Sequence, residues 1–340
     1  MHQLELPALH SNDPLGFLAA LGVLELADTA LHQTVCLSWR GLAAPAVLQT
    51  EQPLTLDQLV ALLVTFLPAE PAKEPLPAAP GILGLSRHTG PGAPNDALRM
   101  PIEQALQLLR DFATAERLDN DPRARWFAAL VNQLCVTHAK NAKDQPQQAV
   151  TAETSPVRSH GPIWYTESTP LFAASGQMTL ANNWVKAAEQ CRRDVTHVHA
   201  ALTGWIRVPD YTGANLDHRS TGDAAMSGDG KPSQRGVPGA TWLALHAFAA
   251  FRLTGDTMNS ATTAWETSGD LPALIWPVWT SPLSRSGIRA LLEHPIVRTG
   301  DLARAAEFLI NLGVAGICSA TRTKLSNSYG PFEPGQVLWP

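Results

Sequence analysis

Residues 14–28 carry the pattern that most narrows what this chain can fold into. Asn12-Asp13-Pro14 is a helix start: Asp13 can cap the first turn, and Pro14 falls at the first helical position, where its missing N–H costs nothing. Phe17, Leu18, Leu21 and Leu24 then recur at helical spacing. Gly16 and Gly22 interrupt this run, and each costs about 1 kcal/mol of helix propensity against alanine. A helix that keeps two such residues is expected to lie against another backbone at close range.

Elements of both kinds surround this helix. Residues 3–6 and 35–40 read as strands. Residues 55–67, 101–118 and 240–253 read as helices. A helix opened by Asp121-Pro122 carries Trp126, Phe127, Leu130, Val131 and Leu134 on one face. Residues 180–202 form the clearest helix of the second half, with Trp184, Ala188, Cys191, Val195, Val198 and Leu202 as its stripe and Arg192 and Arg193 outside it. Leu274 to Trp279 reads as a strand. Ser281-Pro282 caps a helix to about Glu293, Asp301 caps another to about Leu312, and residues 314–322 read as a strand before a Gly/Pro-rich tail. The expected fold is therefore α+β and helix-rich, with mixed helices and a few short antiparallel strands. A module over 1–67, a Pro/Gly-rich linker and loop over 68–100 and a main body over 101–340 are expected, with 1–67 either separate or continuous with that body. Residues 141–156 read as a polar surface loop. Residues 203–239 read as a long aperiodic loop rich in Gly, Asp, Ser and Arg, a feature that compact proteins keep mainly for function.

Composition removes several function classes. With 45% apolar and 16% charged residues, the chain can bury a sizeable core. The net charge of −5 does not fit a general polyanion binder. The acidic excess lies in residues 1–150, with 10 Lys+Arg against 15 Asp+Glu, and the rest is balanced at 15 against 15. A local basic patch in the second half stays open. Arginine heavily outnumbers lysine, which suits planar contacts to phosphates or bases, although a GC-rich genome gives the same skew. Ten tryptophans raise the expectation that some are contact residues. Cys36, Cys135, Cys191 and Cys318 form no CxxC pair and read as reduced core residues. The N-terminus lacks the pattern of a signal peptide, and no apolar run of about 18 residues appears, so a cytoplasmic protein without a membrane span is expected.

No catalytic, metal-binding or cofactor constellation emerges. Gly228-Asp229-Gly230-Lys231 lacks the first glycine of a phosphate loop, because Ala225 stands there, and Pro232 follows the lysine. His197 and His199 lie two apart on a helix and cannot share a metal. No GxSxG elbow occurs, and Cys36 and Cys135 lack basic neighbours. Asp210, Asp217, Asp223 and Asp229 share the long loop and read as ordinary solvated residues more readily than as a cation site. What remains is basic: Arg192, Arg193, Arg207, Arg219, Lys231 and Arg235, and a later set of Arg285, Arg289, Arg298, Arg322 and Lys324. A loop of this composition can reach phosphates or base edges from a helical scaffold; scattered surface charge is the competing reading.

Several blocks together resemble proteins of type I-G (formerly I-U) CRISPR–Cas systems. Asn12-Asp13-Pro14-Leu15-Gly16-Phe17-Leu18-Ala19-Ala20-Leu21-Gly22-Val23-Leu24 is similar to their opening block, and Leu37-Ser38-Trp39-Arg40 follows at a matching distance. Gly236-Val237-Pro238-Gly239-Ala240-Thr241-Trp242-Leu243-Ala244-Leu245, Leu274-Ile275-Trp276-Pro277-Val278-Trp279-Thr280-Ser281-Pro282-Leu283-Ser284 and Tyr329-Gly330-Pro331-Phe332-Glu333-Pro334 resemble later blocks in the same order. Two groups in these systems share such blocks: the large subunit of the effector complex and an extension family associated with the helicase-nuclease. The chain carries neither a helicase Walker motif nor an HD nuclease motif. The resemblance implies a non-catalytic, large-subunit-like component of an RNA-guided surveillance complex (Cascade) in antiviral defence. Its implied role is to help recognise the motif flanking the target DNA (the PAM) and to position guide RNA and DNA. Its implied partners are the other effector subunits, guide RNA, target double-stranded DNA and, further, the helicase-nuclease. In such complexes guide pairing carries sequence specificity and the protein reads the short flanking motif and backbone. The residues expected at nucleic acid are Arg192, Arg193, Arg207, Arg219, Lys231, Arg235, Arg285, Arg322 and Lys324. The alternative is an adaptor that couples the effector complex to the helicase-nuclease without touching nucleic acid.

Overall fold

A computed structural model describes residues 1–68, 98, 100–114, 122–138, 164–173, 179–222, 233–256, 259–267, 269–298, 301–325 and 328–340. Most of the expected 68–100 linker, the 141–156 loop and Lys231 lie outside the described residues. The chain opens with β1 (His2–His10), α1 (Pro14–Ala30), β2 (Val35–Trp39), β3 (Pro45–Thr50) and α2 (Leu56–Val64), the last opened by a Thr55/Gln58 capping box. Next come α3 (Ile102–Thr114), α4 (Pro122–Leu130), β4 (Val131–His138), β5 (Trp164–Ser168), α5 (Leu180–Arg193) and α6 (Thr196–Thr203). The expected long loop holds the short strands β6 (Val208–Pro209), β7 (Thr221–Gly222) and β8 (Ser233–Gly236) and leads into α7 (Pro238–His246). Then follow β9 (Leu253–Asp256), β10 (Asn259–Thr262), β11 (Trp265–Glu266), β12 (Ala273–Trp279), β13 (Leu283–Ser284), α8 (Arg285–Glu293), α9 (Leu302–Asn311), β14 (Val314–Leu325), β15 (Ser328–Phe332) and β16 (Gln336–Trp339).

The fold is α+β and helix-rich, with small antiparallel sheets. One sheet runs β1-β3-β2-β13; another runs β11-β12-β14-β15, with β16 also on β14. β4 pairs with β5, β9 with β10, and β8 lies between β6 and β7. The pairing of β13 with β2 (Leu283 opposite Leu37) sews the C-terminal third onto the N-terminal sheet. α1 is the axis of the molecule. Asp13 caps it, accepting from Leu15 N–H at 2.9 Å and Gly16 N–H at 3.0 Å, with Pro14 in the first turn.

The stripe expected on α1 is too narrow, because every residue from Pro14 to Ala27 is buried. A helix enclosed on all sides needs no polar face. The two glycines explain how it is enclosed. A Cβ on Gly22 would stand 1.8 Å from the Leu243 carbonyl oxygen of α7, and one on Gly16 would stand 2.8 Å from that of His10. α7 in turn presents Gly239 to α6, where a Cβ would fall 2.0 Å from the His197 carbonyl oxygen. Three helices thus stack backbone on backbone. Against α1 lies an aromatic cluster: Phe17 stacks on Trp276 at 5.3 Å, and Trp39 meets Trp279 edge-on at 6.0 Å. Each tryptophan of β12 donates its indole N–H at 2.7 Å, Trp276 to the Ser11 carbonyl and Trp279 to the Leu37 carbonyl. Trp39, Trp126, Trp184, Trp242, Trp265, Trp276 and Trp279 are all buried, so most of the tryptophan excess builds core, not contact surface.

Several boundaries differ from expectation. The 180–202 helix is two helices, because the Asp194 carboxylate accepts from the Thr196 N–H and hydroxyl (3.0 and 2.6 Å) and restarts the chain, leaving Val195 exposed. α4 ends at Leu130, and Val131 begins a strand, so Leu134 is exposed. The cap of α8 is Ser284, three residues later than expected, because Leu283 and Ser284 are held in the sheet with β2. α7 ends at His246, and Leu253 belongs to β9. Cys36, Cys191 and Cys318 are buried and free, and burial pushes all three thiols up, that of Cys318 to about 12. Among the described residues, no helix is long and apolar enough to cross a membrane.

Candidate nucleic-acid interface

The described parts of residues 203–239 are ordered by one arginine. Arg207 reaches the buried carboxylate of Asp217 with both terminal nitrogens, at 2.5 and 3.3 Å, and its Nη1 also donates to the carbonyls of Arg235 (2.8 Å) and Arg219 (3.2 Å). A two-bond fork to a carboxylate removed from water is strong and directional. Asp217 also accepts from the Arg219 N–H at 2.9 Å, and the Arg235 N–H donates to the Ser220 carbonyl. One guanidinium therefore pins the turn that carries Arg219 and the strand β8 that carries Arg235, and both of those side chains are exposed.

Beside this sheet lies a cavity of about 600 Å³ lined by His10, Asp13, Trp205, Arg207, His218 and Arg219, among others. The Trp205 indole N–H donates to the Ala201 carbonyl at 3.2 Å, which fixes the half-buried ring at the cavity wall. The Arg219 Nε donates to His218 Nε2 at 3.0 Å. A guanidinium only donates, so Nε2 must accept and the imidazole proton lies on Nδ1. That Nδ1 stands 3.6 Å from Asp13 Oδ2. Burial raises the pKa of the Asp13 carboxyl above its ordinary value, against the Gly16 N–H and the neighbouring His218 imidazole, which lower it.

Among the described residues, those expected at nucleic acid do not form one surface. Arg219 and Arg235 are presented by the pinned turn and by β8. Arg207 beneath them is a structural lock, because its terminal nitrogens are engaged on Asp217 and on the carbonyls of Arg219 and Arg235. Arg322 is a clearer correction. It is fully buried, donates to the carbonyls of Asn215, Leu171 and Gly330, and lies 3.7 Å over the Phe332 ring. Burial pushes its pKa down to about 9. Its role is to join β14 and β15 to the chain around Leu171 and Asn215, and it cannot meet a ligand from solvent. Arg192 and Arg193 pair with Glu189 in the last turns of α5, at 3.0 and 3.9 Å. Arg285 on α8 pairs with Glu25 (3.4 Å) and Asp28 (3.2 Å). Lys324 is exposed on β14. Lys231, Asp223, Asp229 and the Arg298 side chain lie outside the described residues.

Sequence reasoning missed Trp205, His218 and His10 as neighbours of Arg219, and it treated Asp13 as a helix cap alone. Only the adjacency of His218 and Arg219 was visible in advance. No protein-family model matches the chain, and no curated protein matches its sequence.

Proposed function

We propose that this chain is a non-catalytic, large-subunit-like component of a type I CRISPR RNA-guided surveillance complex, where it helps recognise the motif flanking the target DNA and positions guide RNA and DNA. The observation that carries the nucleic-acid role is the sheet locked by Arg207, which holds Arg219 and Arg235 outward beside the Trp205 cavity. A rigid base beneath two exposed guanidiniums suits phosphate contact with little ordering cost on binding. An aromatic wall next to them offers a stacking surface to an unpaired base. The resemblance supports the assembly role, because its blocks are spatial neighbours: the opening block forms α1, the second glycine block forms α7 against it, and the tryptophan block forms β12 against Phe17. The net charge of −5 fits a subunit whose partners supply most of a basic channel.

The test is the double charge reversal Arg219→Glu/Arg235→Glu in the assembled complex. DNA affinity should fall at least tenfold, and the slope of log affinity against log salt should flatten by about 2, one unit per lost phosphate contact. Unchanged affinity and slope would overturn the interface. The adaptor reading has one observation of its own. Phe308, Ile310 and Leu312 at the end of α9, and Val337 and Leu338 on β16, are exposed apolar side chains, as expected of a protein-binding surface. Tagged protein should co-purify with guide RNA and backbone subunits; recovery of the helicase-nuclease alone would favour the adaptor.

A further inference from the structure

A second cluster of arginines lies far from the loop sheet. Arg125 of α4, Arg252 before β9, and Arg285 and Arg289 of α8 line one cleft of about 590 Å³. Its remaining wall is Ala124, Ala128, Ala129, Ala249 and Phe251, with the Ser286 hydroxyl as its one further polar group among the described residues. The cleft stands by the second half of α1, where Glu25 Oε2 takes both Arg125 (2.8 Å) and Arg285 (3.4 Å). Asp13, in the other cavity, lies twelve positions earlier on the same helix, roughly 18 Å away at 1.5 Å rise per residue.

Among the described residues, the charges around the cleft do not cancel: four guanidiniums face three carboxylates, Glu25, Asp28 (3.2 Å from Arg285) and Glu293 (3.3 Å from Arg252). Arg289 is half-buried and forms no ion pair among the described residues. Burial lowers the pKa of Arg125, and the positive charges of Arg285 and Arg289 act in the same direction against the pull of Glu25. Like charges held this close to one another are a cost in the free protein, and an anion between them removes it.

We propose that this cleft is a phosphate-binding site, separate from the loop interface, that takes the terminal phosphate of a nucleotide or of an oligonucleotide end. The choice of phosphate follows from valence. A carboxylate has two oxygens and is satisfied by one guanidinium fork. A terminal phosphate has three oxygens and up to two charges, so it can accept from several arginines at once. The alanine and Phe251 wall leaves room for a nucleoside behind the phosphate, within the usual volume of small-ligand pockets.

The experiment uses the purified full chain and three probes in fluorescence anisotropy or calorimetry. They are a short oligoribonucleotide with a 5′-phosphate, the same strand with a 5′-hydroxyl, and ATP. The phosphorylated strand should bind at least tenfold tighter than its hydroxyl form if a chain end is the ligand; comparable binding of ATP would identify a free nucleotide. Either result supports the site. Arg289→Glu, with Arg289→Gln as a milder second variant, should weaken the bound probe at least tenfold without moving the thermal midpoint. Arg219→Glu should leave this affinity unchanged, so failure of the cleft and failure of the loop interface read out separately. The proposal is overturned if no phosphate probe binds at about 1 mM, if Arg289→Glu binds like wild type, or if a polyglutamate peptide binds in preference.

Discussion

The two ends of α1 hold the same ingredients in different proportion. Near Asp13, one arginine meets one buried carboxylate: Arg207 forks onto Asp217, and its remaining bonds go to backbone carbonyls. Its terminal nitrogens and its charge are both engaged internally. Near Glu25, one carboxylate oxygen is shared by two arginines, and Arg289 stands beside them without an ion pair among the described residues. A one-to-one fork makes scaffold. A shared carboxylate leaves charge for something that arrives from solvent. Both ends began as arginines of equal interest in the sequence; the balance around each one separates a lock from a binding group.

The strongest test of that contrast removes the lock. Arg207→Ala leaves Asp217 buried without its partner, a change that costs about 3–5 kcal/mol in comparable settings. Urea unfolding should show that loss, and Arg207→Lys should recover part of it, since charge returns without the fork. Phosphate-probe binding at the cleft should persist while the variant remains folded. A wild-type midpoint for Arg207→Ala would mean that the arginine does not hold the loop sheet.

A smaller loss is expected from the residue that lies between the two ends. Gly22→Ala on an exposed helix would stabilise by about 1 kcal/mol. Here the added methyl meets the Leu243 carbonyl oxygen at 1.8 Å, and forcing α1 from α7 should cost about 1–3 kcal/mol instead. The sign decides the matter. A raised thermal midpoint would break the backbone-to-backbone contact that holds both sites on one frame.

The frame was legible in the sequence, and the sites were not. Asp13-Pro14, Gly16 and Gly22 each act locally, so the start of α1 and its close packing could be read from residues in one window. Strands were harder. β3 opens with a proline and was overlooked, and β4 continues the apolar periodicity of α4, so Val131 and Leu134 were assigned to the helix; the β-branched Val131, Val136 and Thr137 were the signal against it. Burial of Arg322 had no sequence signal at all, because its partners are the carbonyls of Leu171, Asn215 and Gly330, which any residue could supply. Arg125 and Arg252 come from segments far apart in the chain, and no spacing rule joins them to Arg285 and Arg289. Proximity through the fold makes that cleft, whereas His218 and Arg219 at least stand side by side.

The smallest effects concern protons, and here Asp13 and the last residue of α7, His246, should respond with opposite sign. His246 is buried between Trp184 and Trp242 at 4.6 and 5.1 Å, and burial, aided by the Arg125 charge, depresses its pKa from 6.5 to about 3. Between those values the unfolded chain binds a proton that the folded chain refuses. Its contribution is therefore present above about pH 6.5 and lost as pH falls towards 3. Asp13 runs the other way. Its folded pKa is raised, so just above the ordinary value of 3.8 the folded state holds a proton that the unfolded state has released, and stability falls as pH rises through that window. Unfolding free energies measured from pH 3 to 7 for wild type, His246→Leu and Asp13→Asn isolate the two. Wild type minus His246→Leu should slope upward with pH. Wild type minus Asp13→Asn should slope downward and more weakly, because the Gly16 N–H and His218 offset part of the burial. The asparagine keeps the oxygen that caps α1, so little else should change. Two curves of the same sign would mean that water reaches Asp13 as freely as a surface carboxylate, and the cavity at that end of α1 would have to be open rather than walled.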